Sequence, residues 1–441
     1  MTYEDIKSII LAVLVSGSIL LTWSLWTYQP TSEQLGEENT VQEVELEAKK
    51  DVGDLIEPNM ALFHYDDSQH LGTLSAEETE KLLTDIKKWN FDDFSDITDE
   101  VGNVDLFVQE AGHAEIIYPG ITPMNLYKEI LQIKDRQLEN IYFNKMVIDM
   151  QTGQKSGIVY FVDTERGRVY KTGVGLSNIQ NFNTRFYRLA SASTNPAFAR
   201  YAPFDTGKKL IFIPENKVEM PRYSFLSEEY ESERFKEALF DDLDSVQKSY
   251  LGTGEEFTNE SSLLRIDQNK VEFKNPTPED NESLSPDNLL KKSINYVNAH
   301  GGWTDNYRYV RMDENKHQVF FRIYRNNYPV FSEDLNLSEI QLRWGGSEIL
   351  AYFRNNFKLA NLISSADVTL RSGPEILDYL QKKEDFEAGK LEDITLGYQL
   401  DKKSKTELIQ LEPSWYYKYE GKWQQISTFE PGGNDYGLEQ N

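Results

Sequence analysis

The stretch Lys7-Ser-Ile-Ile-Leu-Ala-Val-Leu-Val-Ser-Gly-Ser-Ile-Leu-Leu-Thr-Trp-Ser-Leu-Trp-Thr-Tyr-Gln-Pro30 sets the architecture of the whole chain. After Lys7 the next charged residue is Glu33, which leaves 25 uncharged residues, Ser8 to Ser32, in one run. Its apolar heart, Ile9 to Trp26, spans about 27 Å as a helix at roughly 1.5 Å per residue, close to the hydrocarbon thickness of about 30 Å. Trp23, Trp26 and Tyr28 gather at the far end, where amphipathic rings anchor a span at the membrane interface. Pro30 ends the helix. The residues after the apolar core are bulky aromatics, where a signal peptidase needs small ones, so the sequence predicts a retained anchor.

Lys7 and the α-amine precede the span, and no Lys or Arg follows until Lys49. The positive-inside rule then predicts a cytoplasmic N-terminus, with the bulk of the chain extracellular at the cell membrane. The cytoplasmic part, residues 1–7, is too short to hold an enzyme or a DNA-binding module. Any signal must pass through a partner in the membrane. Ser8, Ala12 and Ser16 recur at four-residue spacing with Gly17 beside them, the small-residue pattern that lets a second helix approach closely. These four residues are the predicted partner-binding face, and Trp23, Trp26 and Tyr28 the predicted interface anchors.

The whole chain of 441 residues carries 46 Lys plus Arg and 73 Asp plus Glu, a net charge of −27, with 39% hydrophobic and 12% aromatic residues. That aromatic content supports packed cores. The acidic balance argues against nucleic acid and against adhesion to an anionic lipid surface. The absence of Cys excludes disulfides, Cys-ligated metals and a thiol nucleophile. Residues 33–57 hold nine acids and two bases, Lys49 and Lys50, which reads as an extended, self-repelling stalk. Further on, alternating helix and strand signals recur. They include an N-capping box at Ser75, a hairpin pattern over Gly157–Val162 and Arg168–Thr172, and a cap with Pro at Ser285-Pro286. Asn275-Pro-Thr-Pro-Glu-Asp-Asn-Glu-Ser283 reads as a linker. Strands are read at Val104–Glu110 and Phe186–Ala192, a turn at Pro119-Gly120, a turn region bounded by Pro214 and Pro221, and a helix over Thr122–Lys134. The predicted class is α+β: a single transmembrane helix followed by three extracytoplasmic α+β domains with mostly antiparallel sheets. The boundaries are stub 1–7, helix 8–28, stalk 29–58, and domains 59–176, 177–275 and 276–441.

Catalytic signatures are missing. No His-Glu-x-x-His, Gly-x-Ser-x-Gly or Walker loop occurs. His64, Asp66, Asp67 and His70 lie within seven residues and carry metal-binding side chains, but meet no ligand-spacing rule; a polar turn after a strand is the favoured reading. The acidic run Asp92, Asp93, Asp96, Asp99 and Glu100 lacks the central Gly and terminal Glu of a calcium loop and reads as a solvated face. No catalytic residue, metal or cofactor is assigned.

Ile6-Lys-Ser-Ile-Ile-Leu-Ala-Val-Leu-Val15 with Leu21-Thr-Trp-Ser-Leu-Trp-Thr-Tyr-Gln-Pro30 resembles the N-terminus of YycH proteins. Ile394-Thr-Leu-Gly-Tyr398, Leu411-Glu-Pro-Ser-Trp-Tyr-Tyr417 and Gly421-Lys-Trp423 resemble the C-terminal part of YycH and its smaller relative YycI. The resemblance implies a membrane-anchored, non-enzymatic accessory protein of the WalK/WalR (YycG/YycF) two-component system in Gram-positive bacteria. Its implied partners are the sensor histidine kinase WalK and a YycI-type protein, reached through transmembrane and external contacts, with cell-wall metabolism as the controlled output. Two alternatives stand beside it: a tethered extracellular module that binds a wall fragment or peptide, and a wall hydrolase.

Overall fold

In the computed structural model the described residues are 48–426, apart from 67, 135–137, 139, 152–155, 193–194, 253, 268, 277–283 and 403–406. Ten strands build the first sheet: β1 (Met60–His64), β2 (His70–Thr73), β3 (Asn90–Asp96), β4 (His113–Pro123), β5 (Gln132–Ile133), β6 (Tyr142–Asp149), β7 (Gly157–Asp163), β8 (Arg168–Val174), β9 (Ala199–Asp205) and β10 (Leu210–Pro214). Their order is β10-β9-β2-β1-β4-β6-β7-β8-β3-β5. Among these pairs only β3–β5 is parallel.

The second sheet opens with β11 (Val218–Glu229), β12 (Gln247–Leu251), β13 (Gly254–Thr258), β14 (Leu263–Ile266) and β15 (Lys270–Lys274). It continues with β16 (Tyr307–Asp313), β17 (Gln318–Arg325), β18 (Tyr328–Phe331), β19 (Glu339–Gly345), β20 (Glu348–Asn355) and β21 (Phe357–Leu370). Strands β22 (Leu391–Lys402), β23 (Leu408–Tyr419) and β24 (Lys422–Gln425) complete it. The path runs β12-β13-β14-β15-β20-β19-β17-β18-β22-β23-β11-β21, with β16 on β17 and β24 on β23. Only β18–β22 is parallel. The class is α+β with mostly antiparallel sheets, as the sequence predicts.

Helices cover the sheets with their apolar faces. After the short α1 (Val52–Leu55) comes α2 (Ala76–Ile86), whose start is fixed where the Ser75 hydroxyl accepts the Glu78 N–H at 3.4 Å. It buries Leu82, Leu83 and Ile86. Short α3 (Val104–Val108) and α4 (Met124–Tyr127) follow. Then α5 (Leu176–Phe182) runs through a π-type turn (Asn183–Tyr187) into α6 (Arg188–Ala190), burying Ile179, Phe182, Phe186 and Tyr187. On the second sheet lie α7 (Ser232–Leu239), α8 (Pro286–Ala299) and α9 (Gly373–Gln381). Helix α8 buries Leu289, Leu290, Ile294 and Val297, and Gly301 and Gly302 follow it at φ 104° and 64°, the left-handed backbone that ends helices. One apolar cluster runs from Leu55 to Ile426 through both sheets.

Several sequence expectations are corrected. Val104–Val108 is helical, because the Asn103 side chain caps it by accepting the Leu106 N–H at 3.0 Å. The stretch expected as a strand from Phe186 is helical through Ala190, since its aromatic residues point to the core at helical spacing. Pro119-Gly120 lies within β4, at an irregularity in the ladder between Ile117 and Thr122. There a Cβ on Gly120 would stand 2.5 Å from the Val310 carbonyl oxygen, so only glycine lets β4 and β16 approach. Residues expected as a helix over Thr122–Lys134 divide into the end of β4, α4 and β5. Pro221 sits inside β11, at a level where β21 is a partner but β23 has not yet joined; a missing N–H is tolerated there.

Candidate functional site: the clasp between stalk and body

The sequence predicts a free acidic tether through residue 58. From Ala48 onward the chain is instead held against residues 298–308. The Lys50 N–H donates to Asn298 Oδ1 at 3.0 Å, and Asn298 Nδ2 donates back to the Lys50 carbonyl at 2.9 Å. Trp303 Nε1 donates to the same Asn298 Oδ1 at 2.7 Å, which fixes the amide's orientation. Lys50 Nζ reaches the Asp305 carbonyl at 3.3 Å. Helix α1 then turns the chain inward, with the Asp51 N–H donating to Asp54 Oδ2 at 3.1 Å, and Leu55 and Ile56 are fully buried. Downstream, the buried Arg308 pairs with Glu57 at 3.0 Å and donates to the Pro58 carbonyl at 3.4 Å. Burial lowers the Arg308 pKa, and the Glu57 carboxylate works against that fall. The clasp ties positions about 250 residues apart in sequence, using backbone groups, the Asn298 amide, the Lys50 ammonium and the Arg308–Glu57 pair.

Asp305 lies at its centre. Burial pushes the carboxyl up to about 7, against the opposing hydrogen bond from Leu359 and the charge of Arg354. Oδ1 accepts the Leu359 N–H at 3.2 Å, so the residue whose carbonyl meets Lys50 also holds the start of β21. Arg354 is fully buried and donates to the Gly302 carbonyl at 2.9 Å, to the Tyr352 hydroxyl at 3.0 Å and to Thr304 Oγ1 at 3.3 Å. The clasp therefore connects residue 50 to the start of an exposed edge strand through one residue, Asp305, by its backbone carbonyl on one side and its carboxyl on the other.

The histidines expected as a polar turn are partly that. Asp66 Oδ1 accepts the Ser68 and Gln69 N–H groups at 2.8 Å each and closes the turn; Asp67 lies outside the described residues. His64 and His70, however, are buried and opposite each other on β1 and β2, with Nδ1 atoms 2.7 Å apart. His64 Nε2 lies 2.7 Å from Glu115 Oε1, and Lys145 Nζ 2.6 Å from Glu115 Oε2. Burial alone would raise the Glu115 pKa, but the Lys145 cation and the His64 hydrogen bond outweigh it and hold the carboxyl down to about 2. This is a satisfied ionic core of the first sheet. Among the described residues no group of three or more His, Asp or Glu is placed to hold a metal. In the acidic run, Asp92 pairs with Lys134 at 3.1 Å and Asp96 with Arg168 at 3.6 Å, both exposed. Asp96 lines a shallow cleft of about 450 Å³.

Ser8, Ala12, Ser16, Gly17, Trp23, Trp26 and Tyr28 lie outside the described residues, and within those residues no helix is long and apolar enough to cross a membrane.

Residues 4–191 match the family description "YycH protein, N-terminal domain", and residues 208–433 match "YycH protein, C-terminal domain". The chain belongs to the YycH family. A curated relative, the "Two-component system WalR/WalK regulatory protein YycH" of Bacillus subtilis (strain 168), is 26% identical over 443 residues, covering 96% of each chain. The crystal structure of YycH from Bacillus subtilis superposes with a TM-score of 0.72 at 21% identity, over 87% of this chain and 99% of that one, so the YycH fold is shared. The two YycH family regions are separated by residues 192–207, a stretch that holds the whole of β9.

Proposed function

We propose that this chain is a non-enzymatic regulator of a WalK-type sensor histidine kinase, working in a membrane complex with a YycI-type partner and acting on the control of cell-wall metabolism. The clasp carries this reading. A tether that only held the body off the membrane would need no fixed contact with it. Here residues 48–58 are fixed to the body by reciprocal hydrogen bonds with the Asn298 side-chain amide and by a buried Arg308–Glu57 pair. Movement of the extracellular body is then handed to the chain that leads into the predicted transmembrane helix, residues 8–28. That helix meets the kinase through Ser8, Ala12, Ser16 and Gly17, while Trp23, Trp26 and Tyr28 set its depth. The regulator shifts the kinase only by binding its two states unequally; equal binding shifts nothing.

The test places Leu at Ser8, Ala12, Ser16 and Gly17 together in the full chain, co-expressed with the host's WalK-type kinase. The reading expects loss of co-purification and of any effect on autophosphorylation. Retention of both in the Leu variant rejects the helix as the contact.

A further inference from the structure

Strand β21 ends the second sheet, and among the described residues only β11 pairs with it. It is 14 residues long, contains no proline and carries only Lys358 and Asp367 as charges. Protein edges of this length are normally blunted by charges, proline or bulges. Irregularities at Ala360 and Ile363 disturb its first half. Beyond them Ser364–Leu370 runs in unbroken register with Val218–Ser224 and faces solvent along most of its length. Where the regular stretch begins, large apolar side chains crowd the surface: Leu362 is 49% exposed and Ile363 54%, with Leu226 of β11 and Leu408 of β23 on the adjoining strands.

The charges say what fits. Asp367 stands opposite Pro221 and Glu219 opposite Thr369, which places both carboxylates on one face, diagonal neighbours at roughly 7–8 Å. Both are exposed, and among the described residues neither has a cationic partner, whereas nearby Arg222 is consumed by Glu412 at 2.6 Å. We propose that the free edge of β21 docks an extended strand of a partner protein by β-augmentation, the strand carrying Lys or Arg beside Asp367 and Glu219 and an apolar residue beside Leu362 and Ile363. Main-chain hydrogen bonds supply affinity in this mode, and alternate side chains supply specificity. A second copy of this chain is the poorer occupant, since it would bring a further −27 and its own Asp367 to an acidic edge. The inference rests on the reading that this chain works through protein partners, and names where on the body one of them binds.

The test uses the full chain in nanodiscs, free of kinase, so that its result is independent of the helix experiment. Two blocked peptides are compared, one alternating Lys and Val and the other alternating Glu and Val, and amide exchange is read at residues 364–370. The proposal expects roughly tenfold slower exchange with the Lys peptide and no change with the Glu peptide. The exposed pair Asp367→Lys and Glu219→Lys should reverse that preference while leaving the unfolding midpoint in place. Equal protection by both peptides, no protection, an unreversed preference in the variant, or protection that rises with protein concentration alone would each overturn it, the last in favour of self-pairing.

Discussion

At Glu115 the first sheet's ionic core rests on one side chain. The carboxylate is fully buried and shared between His64 and Lys145. Glu115→Gln leaves the Lys145 cation without its counter-charge, and removing one partner of a buried pair costs about 3–5 kcal/mol. Chemical denaturation should show that loss at pH 7. The contribution is present above the ordinary Glu range and fades in the native protein as pH falls toward 2. Asp305 has the opposite sign. Between about pH 4 and pH 7 the folded protein keeps a proton that the unfolded chain has released, so stability falls as pH rises through that window and levels off above it. Asp305→Asn should flatten the midpoint-versus-pH curve across that range and leave its acid limb unchanged; an unchanged slope would remove Asp305 from the account. Of these residues, His64 and His70 stand out in the sequence by lying within seven residues of each other. Glu115 and Lys145 do not, because strand pairing β1–β4–β6 brings them in from distant positions.

Among the elements, the legible ones carry local signatures. The Ser75 cap, the β7–β8 hairpin and the Pro-started α8 all lie where the sequence places them. The misread ones are decided by a local cap or by tertiary contacts. A Val-Asp-Leu-Phe-Val pattern alternates like a strand but follows a capping Asn, and Pro119-Gly120 looks like a turn until β16 packs on it. The clasp had no local signal at all, since its two sides are about 250 residues apart and its stalk side reads as acidic linker. Its contribution is measurable by amide exchange. Asn298→Ala removes both reciprocal bonds and the Trp303 anchor, so amides of residues 48–56 should exchange faster while those of α8 and β17 keep their protection. Uniform loss of protection would mean the asparagine serves the body's stability instead.

For the whole molecule, the α+β class and antiparallel character follow from strand and turn signals spread along the chain. The sheet orders do not, because β11 pairs with β21 and β23, strands that follow it by more than a hundred residues. Such pairings depend on the complete set of apolar faces. In the proposed function an extracellular body moves a membrane helix because the stalk is fixed to it. The most direct test reconstitutes the full chain with the WalK-type kinase in proteoliposomes and compares wild type with the clasp-opened pair Asn298→Ala and Glu57→Ala. The account predicts that the kinase still co-purifies while its autophosphorylation returns to the level of kinase alone. Autophosphorylation identical to wild type, with exchange confirming that residues 48–58 are released, would contradict it.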